Sequence, residues 1–107
     1  MKNLLRLSFY VPQTHLEVVK SALFSAGAGR YKNYDRCCWA TLGEGQFRPL
    51  ASSNPYIGHE NIIEKVPEYK VEMVCEESCL KSALKALKDT HPYEEPAFEF
   101  YKINSSI

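Results

Sequence analysis

The chain contains the same pattern twice: a segment in which apolar and polar residues alternate, followed directly by a segment with helical periodicity. The first copy begins with NLLRLSFYV and the second with EYKVEMVCE. Alternation with a period of two predicts strands, and apolar residues at spacings of three and four predict helices over 15–27 and 77–90. The predicted apolar stripes are Leu16, Val19, Leu23 and Ala26, and Leu80, Ala83, Leu84 and Leu87.

Two such units, closed by a last strand in AFEFYKI, predict an α+β fold. The expected fold is a ferredoxin-like β-α-β-β-α-β sandwich, in which two helices cover one face of an antiparallel sheet. The other face lacks a covering helix, so we expect it to be apolar and to pack on further copies of the chain.

Local signals place the ends of the helices. Thr14 and Glu17 have the spacing of a capping box at the start of the first helix. Gly27 and Gly29 are expected to stop that helix, because glycine accepts the left-handed conformation of a C-terminal cap. Pro92 is expected to end the second helix, because the residue before a proline avoids the α region.

The middle of the chain is less regular. RYKNYDRCCWATL predicts a twisted strand, GEG at Gly43–Gly45 predicts a turn, and QFRPL predicts a return strand, so an extra hairpin strand is expected here. Pro49 favours an edge position for the return strand. ASSNPYIGHEN, over 51–61, predicts a long loop, and long loops in compact domains are often functional.

Size and charge exclude several classes. The 107 residues predict one domain spanning 1–107, and 13 basic against 13 acidic residues give a formal net charge of zero. Nucleic-acid binding is not expected without a basic surplus. No apolar run approaches the ~20 residues of a spanning helix, and MKNLLRLSFYVPQ fits a first strand better than a signal peptide. We therefore expect a cytoplasmic protein that does not bind membranes.

The four cysteines, Cys37, Cys38, Cys75 and Cys79, show neither a C-x-x-C pair nor a zinc-ligand spacing. Reduced thiols are therefore expected rather than a disulfide framework.

The segments FYVPQTHLEVVKSALFSAGAGRYKNYDRCCWATLGEGQFRPL, NPYIG, YKVEMVC and HPYEEPAFEF together resemble one family. It is a short, stand-alone family related to the insert domain of YqfO-like dinuclear-metal-centre proteins of the NGG1-interacting-factor type. The resemblance runs from about Leu7 to Tyr101 and implies a fold like the PII signalling proteins and CutA, which form trimers. It also implies ligand binding between subunits, and a link to divalent metals through CutA. The histidine and carboxylate ligands of the larger members' two-metal domain are absent from this chain, so the resemblance does not carry that domain's activity over.

HPYEEP, at 91–96, matches a stretch that CutA-like proteins carry before their last strand. His91, Glu94 and Glu95 offer an imidazole and two carboxylates, which suit a divalent first-row metal, and Tyr93 is a candidate ligand contact. The alternative is a stiff hinge, in which the prolines shape the chain and the charges face solvent.

Three further candidates each have a structural alternative. Arg30, Asn33 and Tyr34 could line a cleft between subunits, or belong to a helix cap followed by a turn. Cys38 could bind a soft metal or be a small buried side chain. Arg48 suits an anionic ligand, although a structural salt bridge explains it equally well.

The residues and this resemblance together predict a non-enzymatic module, trimeric as the resemblance implies, that holds a divalent metal or a small anionic ligand at subunit clefts. No cofactor is identified beyond that candidate metal. The alternatives are a subunit or relative of a metal-dependent hydrolase, and a purely structural adaptor domain.

Overall fold

The structure is a computed structural model, and it describes residues 3–104. Four strands form one antiparallel sheet in the order β2-β3-β1-β4, with two helices packed side by side. The elements in chain order are β1 (Leu4–Val11), α1 (Leu16–Ser25), β2 (Trp39–Phe47), β3 (Glu64–Glu76), α2 (Leu80–Thr90) and β4 (Phe98–Lys102). This order confirms the predicted ferredoxin-like α+β class.

The core lies between the two central strands and the helices. Leu7 of β1 stands opposite Met73 of β3, and both side chains are buried beneath the helices. Leu23 of α1 and Leu87 of α2 fill the other side of the same core. Burying a side chain of this size contributes about 1.5–3 kcal/mol. The predicted strand alternation and helical stripes are therefore confirmed where they meet in the core.

The predicted capping box is wrong. The His15 N–H donates to the Pro12 carbonyl at 3.0 Å and closes a 3-10 turn, so α1 begins at Leu16. Thr14 lies inside that turn, where its Oγ1 contacts His15 Nδ1 at 2.8 Å instead of capping a backbone N–H. A second 3-10 turn, Glu77–Cys79, precedes α2.

The predicted glycine stop after α1 is confirmed. Gly27 and Gly29 have φ angles of 104° and 81°, which lie in the left-handed region that favours glycine. The Gly29 N–H donates to the Val74 carbonyl at 2.7 Å, so the chain leaving α1 is attached directly to β3.

The strand predicted over RYKNYDRCCWATL forms only from Trp39 onward. Tyr31 and Tyr34 instead exchange two backbone hydrogen bonds of 2.9 Å each, which closes a tight turn. Lys32 and Arg36 take positive φ angles of 54° and 56° in this segment, which is incompatible with a regular strand.

The predicted turn at Gly43–Gly45 and the extra hairpin strand are also wrong. β2 runs straight through both glycines and ends at Phe47. The reason is β3, which begins at Glu64 and pairs with every residue of β2, from Trp39 opposite Glu72 to Phe47 opposite Glu64. Backbone pairing along the whole length offsets the weak strand preference of the glycines. The loop predicted over 51–61 is confirmed as irregular chain.

The sheet face opposite the helices is mixed rather than uniformly apolar as expected. The strand pairing places Trp39, Glu72, Ser8 and Glu99 in one row across this face, which we call the open face. Trp39 is 70% exposed, although its indole N–H donates to Thr41 at 2.9 Å. Within residues 3–104, no helix has both the length and the apolar character needed to cross a bilayer.

Candidate functional site

A cavity of about 350 Å³ lies at the end of the sheet, where the end of β2 meets the 48–63 loop and the HPYEEP segment. This volume is within the range of small-molecule pockets, about 300–1,000 Å³. Four aromatic rings line it: Tyr10, Phe47, Tyr56 and Tyr93. Three carboxylates, Glu68, Glu94 and Glu95, also line it. The cavity therefore combines an apolar surface with a few acidic groups.

His91 positions one wall of this cavity. It is the C-terminal cap of α2, and the following Pro92 explains its extended conformation, with φ −74° and ψ 138°. Its Nδ1 accepts the Tyr93 N–H at 3.1 Å, so Nε2 carries the proton and donates to the Tyr10 carbonyl at 2.7 Å. The ring thus ties β1 to the HPYEEP segment.

The charge state of His91 agrees with this structural role. The ring is only 7% exposed, and burial lowers its pKa, partly opposed by the hydrogen bond to Tyr10 and by the charge of Glu68. Both ring nitrogens are engaged within the chain. A metal ion could bind His91 only if one of these two hydrogen bonds were broken.

The Tyr93 phenol is the unusual polar group of the site. Its Oη is buried and has no hydrogen-bond partner among residues 3–104. Burial raises the pKa of Tyr93, and the Glu68 carboxylate raises it further, because it lies close enough to attract the phenol proton although the two groups fall short of full hydrogen-bond geometry. The phenol is therefore neutral at ordinary pH. The ring packs 4.9 Å from His91 and 6.2 Å from Tyr56, measured between ring centroids. A buried hydroxyl without a partner is costly, which makes this oxygen a candidate ligand contact.

Glu68 reaches the cavity because Gly45 leaves room for it. Glu68 lies on β3 opposite Gly43, and its side chain crosses β2 over Gly45. A methyl group on Gly45 would overlap the Glu68 carboxylate, whereas a methyl group on Gly43 would meet nothing. The second glycine of GEG thus has a steric role at the cavity rather than the predicted role in a turn.

Glu94 closes the cavity on the loop side. Its Oε2 accepts the backbone N–H of Asn54 at 3.0 Å, which joins the HPYEEP segment to the 48–63 loop. Pro49 and Pro55 of that loop also line the cavity and stiffen its outer wall. Glu95 is exposed at the rim.

The structure brings some of the predicted site residues together and leaves others apart. Tyr93, Glu94 and Glu95 line the cavity, and His91 supports it from behind. Arg48 is exposed between two lining residues but does not line the cavity itself. Cys38 is half-buried and packs against the core.

The other predicted cleft residues lie elsewhere on the surface. Arg30, Asn33 and Tyr34 are exposed around the turn that follows α1, and none of them lines the cavity. Across residues 3–104, no three histidine, cysteine or acidic side chains are grouped closely enough to hold a metal ion. The metal ligands and the cleft residues therefore stay predictions.

Sequence reasoning missed Tyr10, Phe47, Tyr56 and Glu68. Tyr10 lies on the open face of β1, and Glu68 lies on β3, which β1 separates from β4 and the preceding HPYEEP segment. The available signal was the strand parity of GEGQF against EYKVEM, which pairs Gly43 with Glu68. Using that signal would have required knowing that β2 does not turn.

No family model matches the chain. The chain is 38% identical over 102 residues to the GTP cyclohydrolase 1 type 2 homolog of Halalkalibacterium halodurans, which covers 95% of the chain and 27% of that protein. The GTP cyclohydrolase 1 type 2 homolog of Mycobacterium leprae is 40% identical over 94 residues, covering 88% of the chain and 24% of that protein. The chain thus spans about a quarter of the length of these relatives.

Solved structures agree with this relationship. A Bacillus cereus protein related to NIF3 superposes with a TM-score of 0.84 at 32% identity, over 97% of this chain and 26% of that one. The divalent ion tolerance protein CutA1 of Ehrlichia chaffeensis gives a TM-score of 0.72 at 14% identity, over 100% and 87% of the two chains. GlnK of B. subtilis superposes with a TM-score of 0.63 at 14% identity, over 98% of this chain and 89% of that one. The chain is therefore a relative of one segment of the NIF3-related, YqfO-like proteins, built on the fold that CutA1 and GlnK share.

Proposed function

We propose that this chain is a non-enzymatic binding module that holds a small-molecule ligand in the cavity between β2, the 48–63 loop and HPYEEP. The observation that carries the proposal is the buried Tyr93 Oη, which lines this cavity without a hydrogen-bond partner among the described residues. Ligand pockets typically pair an apolar wall with a few such polar groups. The module acts as a single domain over 1–107, in the cytoplasm.

The module assembles as a trimer through the open face of its sheet. Two observations support an oligomer: the exposed aromatic side chains Trp39 and Tyr101 on that face, and a fold shared with CutA1 and GlnK. The long β2 edge, exposed over most of its length, offers further surface for a neighbouring copy. In this arrangement the cavity mouth lies near subunit contacts.

A variant of this proposal is that the ligand is a metal ion bound through His91, Glu94, Glu95 or Cys38. The existing hydrogen bonds count against it, because a metal ion would have to break one of the two hydrogen bonds of His91 and compete with the Asn54 N–H for Glu94. The competing functions are a relative of a metal-dependent hydrolase, suggested by the name of the curated relatives, and a structural adaptor.

Native mass spectrometry of the untagged protein, purified without chelator, tests the proposal. We expect a trimer with a retained small molecule. An Ala97→Phe variant should lose that mass because Ala97 lines the cavity, whereas the control variant Ser82→Phe, on the exposed side of α2, should keep it. A monomer would contradict the assembly, and mass retained by both variants would contradict the site. Turnover of a phosphoester or nucleotide by the purified chain would favour the hydrolase alternative.

A further inference from the structure

We propose that the ligand of this cavity is an organic cation, namely an ammonium group carried on an aromatic or aliphatic body. This inference rests on the proposed function, because it takes the same cavity as the ligand site. It departs from the sequence-based prediction of an anionic ligand, and the charges that line the cavity are the reason.

The lining of the cavity carries negative charge and aromatic faces. Glu68, Glu94 and Glu95 line it, and no lysine or arginine is found among the lining residues that the structure describes. Two cations flank the cavity: Lys70, whose Nζ lies 6.0 Å from the centroid of the Tyr10 ring at the cavity edge, and the exposed Arg48, which lies between two lining residues. An anion placed inside would therefore face several carboxylates. A cation would be attracted to them and to the aromatic faces.

Glu68 and Tyr93 form the polar end of the cavity. The Glu68 carboxylate lies over Gly45, and its charge raises the pKa of the neighbouring Tyr93 phenol. An ammonium group between them could donate hydrogen bonds to the carboxylate and to Tyr93 Oη, which gives the buried oxygen a partner. Glu94 already accepts the Asn54 N–H, so Glu68 is the carboxylate that we expect to bind the ammonium group.

The aromatic walls select what is attached to the ammonium group. Phe47 and Tyr56 lie 6.3 Å and 6.2 Å from Tyr93, so three rings surround one volume. A volume of about 350 Å³ accommodates a single or fused ring on a short chain. The chemistry therefore fits arylalkylamines and amines with a compact apolar body.

Three indole compounds of matched shape test the charge preference: tryptamine as the cation, tryptophol as the neutral analogue and indole-3-propionate as the anion. Binding to the full chain is measured by isothermal titration calorimetry at pH 7, where the aliphatic amine is protonated. We expect tryptamine to bind tightest and indole-3-propionate weakest. Replacing the Glu68 carboxylate in Glu68→Gln should weaken tryptamine about ten- to hundredfold, as expected for a hydrogen bond to a charged group, and should change tryptophol little.

Glu72→Gln is the matched control, because Glu72 lies on the same face of β3 but does not line the cavity. If Glu68→Gln fails to fold, Gly45→Ala displaces the same carboxylate without removing it. Tighter binding of indole-3-propionate would overturn the cation inference and leave the ligand cavity intact. Equal binding of tryptamine and tryptophol, unaffected by Glu68→Gln, would also overturn it. No binding of any of the three, with no retained mass in the native protein, would overturn the proposed function as well.

Discussion

Replacing Tyr93 by phenylalanine should stabilise the ligand-free protein. The substitution removes only the hydroxyl oxygen, which is buried and has no hydrogen-bond partner among the described residues. Leaving such a group buried without a partner costs about 1–3 kcal/mol, whereas an apolar replacement of the same shape avoids that cost. We therefore expect the free energy of unfolding to rise by about 1 kcal/mol, which corresponds to roughly 4–8 °C in Tm for a domain of this size.

Guanidinium denaturation at one fixed protein concentration measures this change, since the stability of an oligomer depends on concentration. The protein should first be unfolded and refolded to remove any retained ligand. Tyr34→Phe is the control: Tyr34 is 73% exposed, so its change should stay within about 0.5 kcal/mol. A loss of 1 kcal/mol or more in Tyr93→Phe would refute the reasoning, because it would mean that Oη has a partner in the free protein.

Three further predictions concern the cavity glycine, the buried histidine and the core. Gly45→Ala should weaken tryptamine binding at least fivefold by displacing Glu68, as calorimetry would measure, while Gly43→Ala should leave it unchanged. Because burial lowers the pKa of His91 from its ordinary 6.5, its contribution to stability is present above pH 6.5 and is lost as the pH falls through the folded-state value. The stability advantage of the wild type over His91→Gln should therefore shrink in denaturation curves as the pH is lowered below 6.5, and a constant advantage would contradict this prediction. Leu87→Ala should reduce the free energy of unfolding by about 2–5 kcal/mol, because Leu87 is fully buried.

The fold was predictable where the signal was local and repeated. Val71, Met73 and Cys75 alternate on β3, and the same alternation reappears on β1, so the two strands that form the centre of the sheet were identifiable from period alone. Pro92 fixed the end of α2 for a reason confined to adjacent residues. These predictions were correct because they depend on neighbouring residues rather than on a partner far away in the sequence.

The errors occurred where pairing partners decide the conformation. Closely spaced glycines favour turns, so Gly43–Gly45 predicts a turn. The long β3 instead supplies a backbone partner to every residue of β2 and keeps it extended. The capping box failed because Thr14 lies inside the 3-10 turn that the His15 N–H closes with the Pro12 carbonyl, and its Oγ1 contacts the His15 ring instead of a backbone N–H. In both places the hydrogen bonds of the folded chain override a favourable local pattern.

Under the proposed function, the HPYEEP segment combines the hinge role and the ligand-binding role that its sequence left open. Pro92 stops α2 and forces His91 into an extended conformation, which lets the ring reach the Tyr10 carbonyl. Because the same ring accepts the Tyr93 N–H, the phenol is held at the cavity wall before any ligand arrives. A stiff hinge is thus the means by which a binding site here would be preorganised, and preorganisation lowers the entropic cost of binding. If the proposed ligand site is correct, the hinge and the site depend on the same His91 contacts, so a variant that frees His91 should lose ligand affinity along with stability.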